Sequence, residues 1–522
     1  MELIKKNIHM DRIKCRGNSQ LTLEEDINIP DSKPDVADVI YEKGQIQIEE
    51  VKPTEDHVSI RGRLLFSVLY QTREEGEKLV CLEGKVPFEE QLYMEGVKAS
   101  DAVSVKSELE DLSVCVINSR KLSVQALFTL KGRVEELYDE EAPVDIYFDE
   151  GGAPLEYRKV KMDLAQIAIQ KNDIFRIREE ITLPQNYPNI FHIIWDSVTL
   201  EDVECKPLTE NISIQGDLRV FVLYEGEGEN TPISTFETRI PFSGTVECHG
   251  CRDDLIGDIT YAIGHKELEA KPDFDGEERM LGLELVLDIA IKLYEEETVE
   301  MISDVYGVSK EVETVNQDTA LKQLLMRIEG KCKVTDRLKV KNPEARVLQL
   351  LYSEGQLQID SKAITADGIQ IEGTLSVQIL YVTGDDSAPY NSLKGTIPFE
   401  YTLEVPGITP LDSFSLSGNV GQLQAVMIDS EEMDIKAVLN FQAVAFRNLP
   451  IQLISDIKVA DLDTEKVNDL PGMVVYVVRP EDNLWNIGKR YYVPVEKIKE
   501  INELTSDEIK PGDKLLIVKG AC

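Results

Sequence analysis

The side chains best suited to chemistry are the two cysteines of Cys248-His-Gly-Cys251. Thiols at this spacing can form a redox disulfide or supply half of a zinc site. A zinc site needs further ligands, and the chain has five histidines and no second Cys-x-x-Cys. In a long chain without a secretion signal, we expect all eight cysteines to be reduced. The sequence therefore predicts neither a metal nor a redox function at this pair.

A second candidate is the acidic run Asp273-Phe-Asp-Gly-Glu-Glu278. It resembles part of a calcium loop but lacks the remaining spaced ligands and the flanking helices, so a hairpin turn before a strand at Leu281 is the better prediction. Phosphate-binding loops and nucleophile elbows are absent from the sequence, and His57, His192 and His265 stand alone. We expect no catalytic residue, no metal and no cofactor, and hence no enzyme.

The charge of the chain narrows the possible partners. With 56 basic and 96 acidic residues, the net charge is −40, which opposes binding to nucleic acid or anionic lipid. Residues 473–519 carry eight basic and eight acidic residues, so the acidity belongs to what precedes them. Without a membrane-spanning run or an apolar leader segment in residues 1–15, we expect a cytoplasmic protein and no direct membrane insertion.

The chain contains three internal repeats, and any functional residues within them are positioned by the repeated fold. The strand-like segment Ile60-Arg-Gly-Arg-Leu-Leu-Phe-Ser-Val-Leu-Tyr70 returns at 214–224 and 371–381, at offsets of 154 and 157 residues. A Val/Ile-Pro-Phe marker at 86–88, 240–242 and 397–399 keeps the same spacing. At these offsets the Cys-x-x-Cys turn aligns with segments that have no cysteine. The repeat length is thus about 155 residues.

The alternation of apolar and polar residues in the marker segment predicts a strand with one buried face. Gly62, Gly216 and Gly373 share one position in it, where glycine indicates a bulge or a close backbone approach. The Pro-Phe segment should pair with it as a hairpin. We predict a mainly β fold of three tandem antiparallel repeats, each a sandwich or half-open barrel, with short helices near 36–42 and 345–352.

The end of the chain has a different pattern. A short strand at Val474–Val478 precedes a helix capped by Asn483, a second helix begins near Pro494, and a strand over 514–518 closes the unit. Leu484 and Ile498 fall on the apolar faces of these helices. The order is βααβ, in a small module of its own.

This module resembles a LysM domain in Asp482-Asn-Leu-Trp485, Ile501-Asn-Glu-Leu504 and Lys510-Pro-Gly-Asp-Lys-Leu515. LysM domains bind N-acetylglucosamine polymers in a shallow groove between two loops. The resemblance implies a groove lined by Glu481, Asp482, Asn483, Asn502, Leu504, Ile509 and Pro511. We add Trp485 and Lys510 as further partner-binding residues.

Two departures from the family pattern favour a protein ligand over a sugar. Glu481 and Tyr492 stand where the family has glycine, and Tyr492 is a poor residue for a left-handed helix cap. Trp485 lies beside the apolar stripe of the first helix, so it is either a partly exposed binding residue or a filler of the small core.

The repeats resemble SPOCS domains, through the Ile-x-Gly-x-Leu…Leu-Tyr and Val/Ile-Pro-Phe segments. SPOCS repeats followed by one LysM module are the layout of SipL-type spore coat morphogenetic proteins. The resemblance implies a non-enzymatic adaptor on the mother-cell side of the forespore surface. Its expected partner is a coat ATPase of the stage IV sporulation protein A type, with other coat proteins as further partners. The alternative is a peptidoglycan-binding or N-acetylglucosamine-polymer-binding protein.

The predicted division of the chain follows from the repeat offsets and from the change in charge. It comprises repeat 1 over 1–170, repeat 2 over 171–325, repeat 3 over 326–460, a linker over 461–472 and the LysM-type module over 473–519.

Overall fold

The computed structural model describes residues 2–72, 79–147, 155–228, 233–340, 346–385, 388–461 and 472–518. The strands of the first repeat are β1 (Glu2–Asn28), β2 (Val36–Pro53), β3 (His57–Thr72), β4 (Leu79–Tyr93), β5 (Val103–Asn118) and β6 (Lys121–Tyr147). Those of the second are β7 (Leu155–Thr182), β8 (Ile190–Leu208), β9 (Asn211–Gly226), β10 (Ile233–Glu247), β11 (Ile256–Pro272) and β12 (Glu278–Gly307). Those of the third are β13 (Lys310–Lys339), β14 (Val347–Ile364), β15 (Gly368–Thr383), β16 (Tyr390–Glu404), β17 (Ser413–Met427) and β18 (Glu432–Asp461).

Each repeat is a sandwich of two three-stranded antiparallel sheets. In the first repeat the orders are β1-β6-β5 and β2-β3-β4, and the other two repeats have the same arrangement. One apolar cluster per repeat combines residues of both sheets, such as Ile60 of one sheet and Phe128 of the other. The predicted fold class is confirmed, and the sandwich is the correct alternative.

The three glycines occupy equivalent positions, as predicted. Gly62, Gly216 and Gly373 lie in the central strands β3, β9 and β15, opposite the phenylalanines of the Pro-Phe hairpin strands. A Cβ atom on Gly62 would lie 2.5 Å from the carbonyl oxygen of Gln47. A Cβ atom on Gly373 would lie 2.2 Å from the carbonyl oxygen of Gln358. Close approach of a neighbouring backbone therefore requires glycine at positions 62 and 373.

The two short helices predicted near 36–42 and 345–352 are wrong. Residues 36–42 lie in β2 and residues 347–352 lie in β14. Each strand has two register shifts in this stretch, between Val36 and Asp38 and between Val39 and Tyr41 in β2. Each bulge adds an unpaired residue, so the apolar spacing becomes three and four and imitates a helix. Residues 341–345 lie outside the described residues.

The first and last strands of each repeat extend beyond the sandwich as two-stranded ribbons. Ribbon 1 comprises residues 2–13 and 135–147, ribbon 2 residues 155–167 and 294–307, and ribbon 3 residues 310–324 and 446–461. A register shift marks the base of each ribbon. Met10, Leu164 and Leu321 occupy equivalent positions in the ribbons and meet in one buried cluster. The three ribbons thus pack together.

The sandwiches also meet, around a pseudo-threefold axis. Tyr41, Trp195 and Tyr352 are equivalent by the repeat offsets, and their ring centroids lie 5.0, 5.2 and 6.4 Å apart. The equivalent Leu69, Leu223 and Leu380 belong to the same buried cluster and are at most 1% exposed. The three repeats therefore form one body with a shared apolar centre.

Polar residues on this axis are equivalent in position but different in type. Lys43, Ser197 and Glu354 follow the same offsets. The Lys43 Nζ atom lies 2.6 Å from Glu354 Oε1 and donates a hydrogen bond of 2.9 Å to Ser197 Oγ. Repeats 1 and 3 thus contribute opposite charges, and repeat 2 contributes a small neutral group.

The ribbons repeat this arrangement with the charges reversed. Asp11, Ala165 and Lys322 are equivalent by the same offsets. The Asp11 carboxylate lies 2.6 Å from Lys322 Nζ of ribbon 3 and 2.5 Å from Lys292 Nζ of β12. One carboxylate of the first repeat therefore links all three repeats.

The predicted boundaries at 170/171 and 325/326 fall inside β7 and β13, which pair with β12 and β18 on both sides of each boundary. The exact domain limits stay predictions. Of the predicted linker, residues 462–471 lie outside the described residues, as does Lys519 of the predicted module.

Candidate functional site

The C-terminal module has the predicted βααβ order. It comprises β19 (Met473–Val477), α1 (Leu484–Tyr491), α2 (Val495–Ile501) and β20 (Lys514–Val518). β19 and β20 form a two-stranded antiparallel sheet. Leu484 and Ile498, predicted from helical spacing, are both at most 2% exposed and belong to one small core with Ile487. The module thus has a core separate from those of the repeats.

One side chain and two backbone angles define the ends of the first helix. The Asn483 Oδ1 atom accepts a hydrogen bond of 2.8 Å from the backbone N–H of Asn486, which confirms the predicted N-cap. Tyr492 ends the helix with φ 58°, and Glu481 precedes it with φ 74°. Both residues replace family glycines, and both keep the left-handed conformation that glycine adopts most easily. The backbone is therefore left-handed at both positions although neither residue is glycine.

Besides Asn483, two predicted groove residues, Asp482 and Asn502, make side-chain hydrogen bonds inside the module. Asp482 Oδ2 accepts hydrogen bonds from Tyr476 Oη and the Arg479 backbone N–H, both at 2.7 Å. The hydrogen bond from Tyr476 is the main reason why the pKa of Asp482 lies below its usual value. Asn502 links the end of α2 to β20 by donating to Ile498 O and Leu516 O and accepting from Leu516 N. These hydrogen bonds hold the loops of the module in place, so the residues have a structural role.

The remaining loop residues form two groups. Leu504 and Ile509 are half-buried against the module core. Glu481, Lys510 and Pro511 are exposed on the two predicted loops. The exposed loop side chains are therefore the predicted groove residues most accessible to a ligand.

The ninth predicted residue, Trp485, contacts the second repeat. Its Nε1–H donates a hydrogen bond of 2.8 Å to Asp304 Oδ2, and its ring makes an edge contact with Tyr306 at 4.8 Å between centroids. The Arg158 guanidinium lies 5.7 Å from the Trp485 ring centroid. Trp485 is half-buried by an interface within the chain, an arrangement outside both alternatives that the sequence had suggested.

The sequence reasoning missed an exposed apolar strip on the module. Met473, Val475 and Val477 alternate along β19, point away from the helices and are 63%, 64% and 50% exposed. In β20, the half-buried Val518 and Leu516 pair with Met473 and Val475. The signal was present in the sequence, because Met473–Val478 is nearly all apolar where a strand covered on one side should alternate.

The cysteine and acidic motifs are turns. Cys248 and Cys251 are at most 1% exposed, and the Cys251 N–H donates to Cys248 O at 3.0 Å. Burial, with the neighbouring thiol, raises the pKa of Cys251 to about 11, so its reactive thiolate form is disfavoured. The acidic run forms the turn between β11 and β12. Within the described residues, no group of three potential metal ligands occurs.

None of the helices described here is both long enough and apolar enough to cross a membrane.

The chain has recognisable relatives. The model of the SipL SPOCS domain matches residues 35–117, 189–271 and 346–428, and that of the LysM domain matches residues 476–518. Uncharacterized protein YkzQ of Bacillus subtilis (strain 168) is 42% identical over 43 residues, which are 8% of this chain and 57% of YkzQ. No solved structure matches. Each of the three repeats thus contains a SPOCS domain, a LysM domain follows them, and the chain belongs to the SipL-type, sporulation-related proteins.

Proposed function

We propose that the chain is a non-enzymatic adaptor in spore coat assembly, and that its LysM module binds a partner protein. The partner proposed is the coat ATPase of the stage IV sporulation protein A type, which would place the chain on the mother-cell side of the forespore surface. SPOCS and LysM domains are generally binding domains, which supports a binding role over catalysis.

The observation that carries the proposal is the apolar strip of Met473, Val475 and Val477. A module of this size has few apolar residues to spare from its core, yet three adjacent positions of one sheet face are at least half exposed. Contiguous apolar surface with a polar border is typical of protein-binding sites. The strip therefore supports a protein ligand.

The surroundings of the strip indicate the chemistry of the partner. Val475 and Val477 line one groove with Arg479, Arg490 and Pro511. Basic side chains beside apolar ones suit a partner that presents apolar side chains among acidic groups. Pro511, and with it the adjacent Lys510, brings one of the predicted loops to this groove. We include Glu481, Lys510 and Pro511 in the proposed partner surface.

The alternative function, binding of an N-acetylglucosamine polymer, is favoured by the LysM match itself. Against it, the side-chain polar atoms of Asp482, Asn483 and Asn502 make hydrogen bonds within the module. A sugar would have to bind mainly through backbone groups and the exposed loop residues.

Val475→Glu tests the proposal, because the side chain is exposed and the substitution should leave the fold intact. We expect it to weaken binding to the coat ATPase by about 1–3 kcal/mol, as for an interface hot spot. Val459→Glu, on a ribbon strand and 43% exposed, is the matched control and should leave the affinity unchanged. The measurement is titration calorimetry with the full chain.

Two results would count against the proposal. If the parent chain bound chitin-type oligomers and not the ATPase, the alternative function would replace it. If Val475→Glu and Val459→Glu bound the ATPase equally well, the strip would not be the partner surface.

A further inference from the structure

The module contacts the end of ribbon 2 through one face of α1 and the turn that follows it. Asp304 Oδ1 lies 2.6 Å from Lys489 Nζ, and Asp304 Oδ2 accepts the hydrogen bond from Trp485. The Tyr306 hydroxyl donates a buried hydrogen bond of 2.9 Å to the carbonyl oxygen of Val493. One carboxylate of the second repeat thus satisfies two groups of α1, and one tyrosine satisfies the backbone after it.

Gly488 allows this close contact. A Cβ atom on Gly488 would lie 2.7 Å from the Tyr306 hydroxyl and 2.6 Å from the carbonyl oxygen of Val493. Tyr306 is 3% exposed under the module. The surface of α1 therefore fits the tyrosine closely.

The other two ribbon ends have the same backbone but lack this set of side chains. Asp145, Asp304 and Asp456 are equivalent, because each accepts a hydrogen bond of 2.9–3.0 Å from the backbone N–H of the following residue. Two residues after Asp304 stands Tyr306, whereas Lys458 stands at the same place in ribbon 3.

Ribbon 1 has a tyrosine at this place, Tyr147, but it is 57% exposed. The residue paired across the ribbon with the aspartate also differs. It is Arg158 opposite Asp304, Ile4 opposite Asp145 and Val315 opposite Asp456. Aspartate, tyrosine and arginine come together in ribbon 2 alone among the three described ribbon ends.

We propose that the end of ribbon 2, formed by Arg158, Asp304 and Tyr306, is a selective docking site for the LysM module of the same chain, and that Trp485 and Lys489 are the residues it recognises. The contact combines a charge-assisted hydrogen bond, an aromatic edge contact and a cation over a ring. In the docked module the Trp485 ring is half-buried and its Nε1–H is bonded to Asp304, so the side chain is less available to other ligands.

Docking also orients the module. With Trp485 against ribbon 2, the strip of Met473, Val475 and Val477 remains 50–64% exposed. The second repeat therefore holds the strip outward. This docking is independent of what the strip binds.

Like charges limit the strength of the contact. Burial, together with Glu496 of α2, raises the pKa of Glu156 of ribbon 2, so these two carboxylates oppose docking. The two carboxylates lower the net stability of the contact. We therefore expect one substitution to release the module from ribbon 2 without unfolding either part.

The test is Asp304→Asn in the full chain, read by acrylamide quenching of tryptophan fluorescence. Trp195, 5% exposed, gives an inaccessible background, so a change reports on Trp485. We expect increased quenching, a red shift of emission and faster hydrogen exchange in α1. Asp456→Asn removes the equivalent carboxylate in ribbon 3, where no module is docked, and should change none of these.

A second substitution separates docking from folding. The Lys489 side chain lies on the docking face of α1 but is 45% exposed, so Lys489→Ala should leave the module folded. It should increase quenching in the same way, with little added effect in the double variant with Asp304→Asn. If Asp304→Asn and Asp456→Asn left quenching equally unchanged, or if the two docking substitutions acted additively, the proposal would be overturned. Because no partner is present, the outcome does not depend on the proposed function.

Discussion

The core of each sandwich and the axis between the sandwiches differ in which residues stand at equivalent positions of the three repeats. In the cores, equivalent positions hold equivalent residues, such as Ile60, Ile214 and Ile371, each at most 1% exposed. On the axis, equivalent positions hold Lys43, Ser197 and Glu354, which differ in charge and contact one another. The three cores therefore contain the same or a similar residue at equivalent positions, whereas the axis combines residues of complementary charge and size.

The difference follows from geometry. A side chain in a core contacts only residues of its own repeat, so the same side chain fits in all three repeats. A side chain on the threefold axis contacts the equivalent residues of the other two repeats, and three identical charges there would repel one another. Apolar residues escape this conflict, and Tyr41, Trp195 and Tyr352 accordingly remain aromatic in every copy.

The largest expected effect is on the apolar axis. Leu223→Ala should lower the free energy of unfolding by about 2–5 kcal/mol, because the side chain is fully buried between repeats and its removal leaves a cavity. Since the cluster is shared, we expect the repeats to lose stability together in one urea transition. Leu208→Ala, at a 41% exposed position, is the control. A destabilised second repeat beside two unaffected ones would show that the axis does not couple them.

The charged axis layer should show a smaller effect that can be reversed. Lys43→Glu places a carboxylate beside Glu354, and the two side chains are 36% and 25% exposed. For a half-buried pair we expect a loss of about 1–3 kcal/mol, between the values for exposed and buried pairs. Exchanging both charges, Lys43→Glu with Glu354→Lys, should recover most of it in urea unfolding. Failure of the exchange to recover stability would mean that the contact is not electrostatic.

The smallest expected effect concerns acid stability at Asp11. Burial would raise the pKa of Asp11, but Lys322 and Lys292 outweigh it and lower the pKa. A lowered folded-state pKa stabilises the protein above the unfolded value of about 3.9, and this contribution is lost as the pH falls through the folded-state value.

The variant Asp11→Asn should therefore be less stable than the parent at pH 7, and the difference should shrink below about pH 4. Urea unfolding at pH 7 and pH 3 measures it. The exposed pair of Asp26 with Lys121 provides Asp26→Asn as a control with little effect at either pH. A difference between Asp11→Asn and the parent that stays constant with pH would contradict the role of the two lysines.

Much of the local structure could be predicted from single residues. The alternation around Gly62 gave the strand, its buried face and its hairpin partner, because all three depend on neighbours close in sequence. The Asn483 cap and the core positions Leu484 and Ile498 were predictable for the same reason. The helices expected at 36–42 and 345–352 failed because a bulge changes the apolar spacing without a distinct sequence signal.

The sequence by itself determined the three repeats, the β fold class and the LysM module, since periodicity, glycine positions and capping residues act over short distances. Only the tertiary structure decided that Lys43 meets Glu354 and that Trp485 meets Asp304, 181 residues away. Each of these side chains is compatible with an ordinary surface position until a distant partner is brought to it. Contacts between repeats, and between a repeat and the module, depend on how the folded domains pack against one another. The local sequence pattern does not encode that packing, because it reflects only neighbours close in sequence.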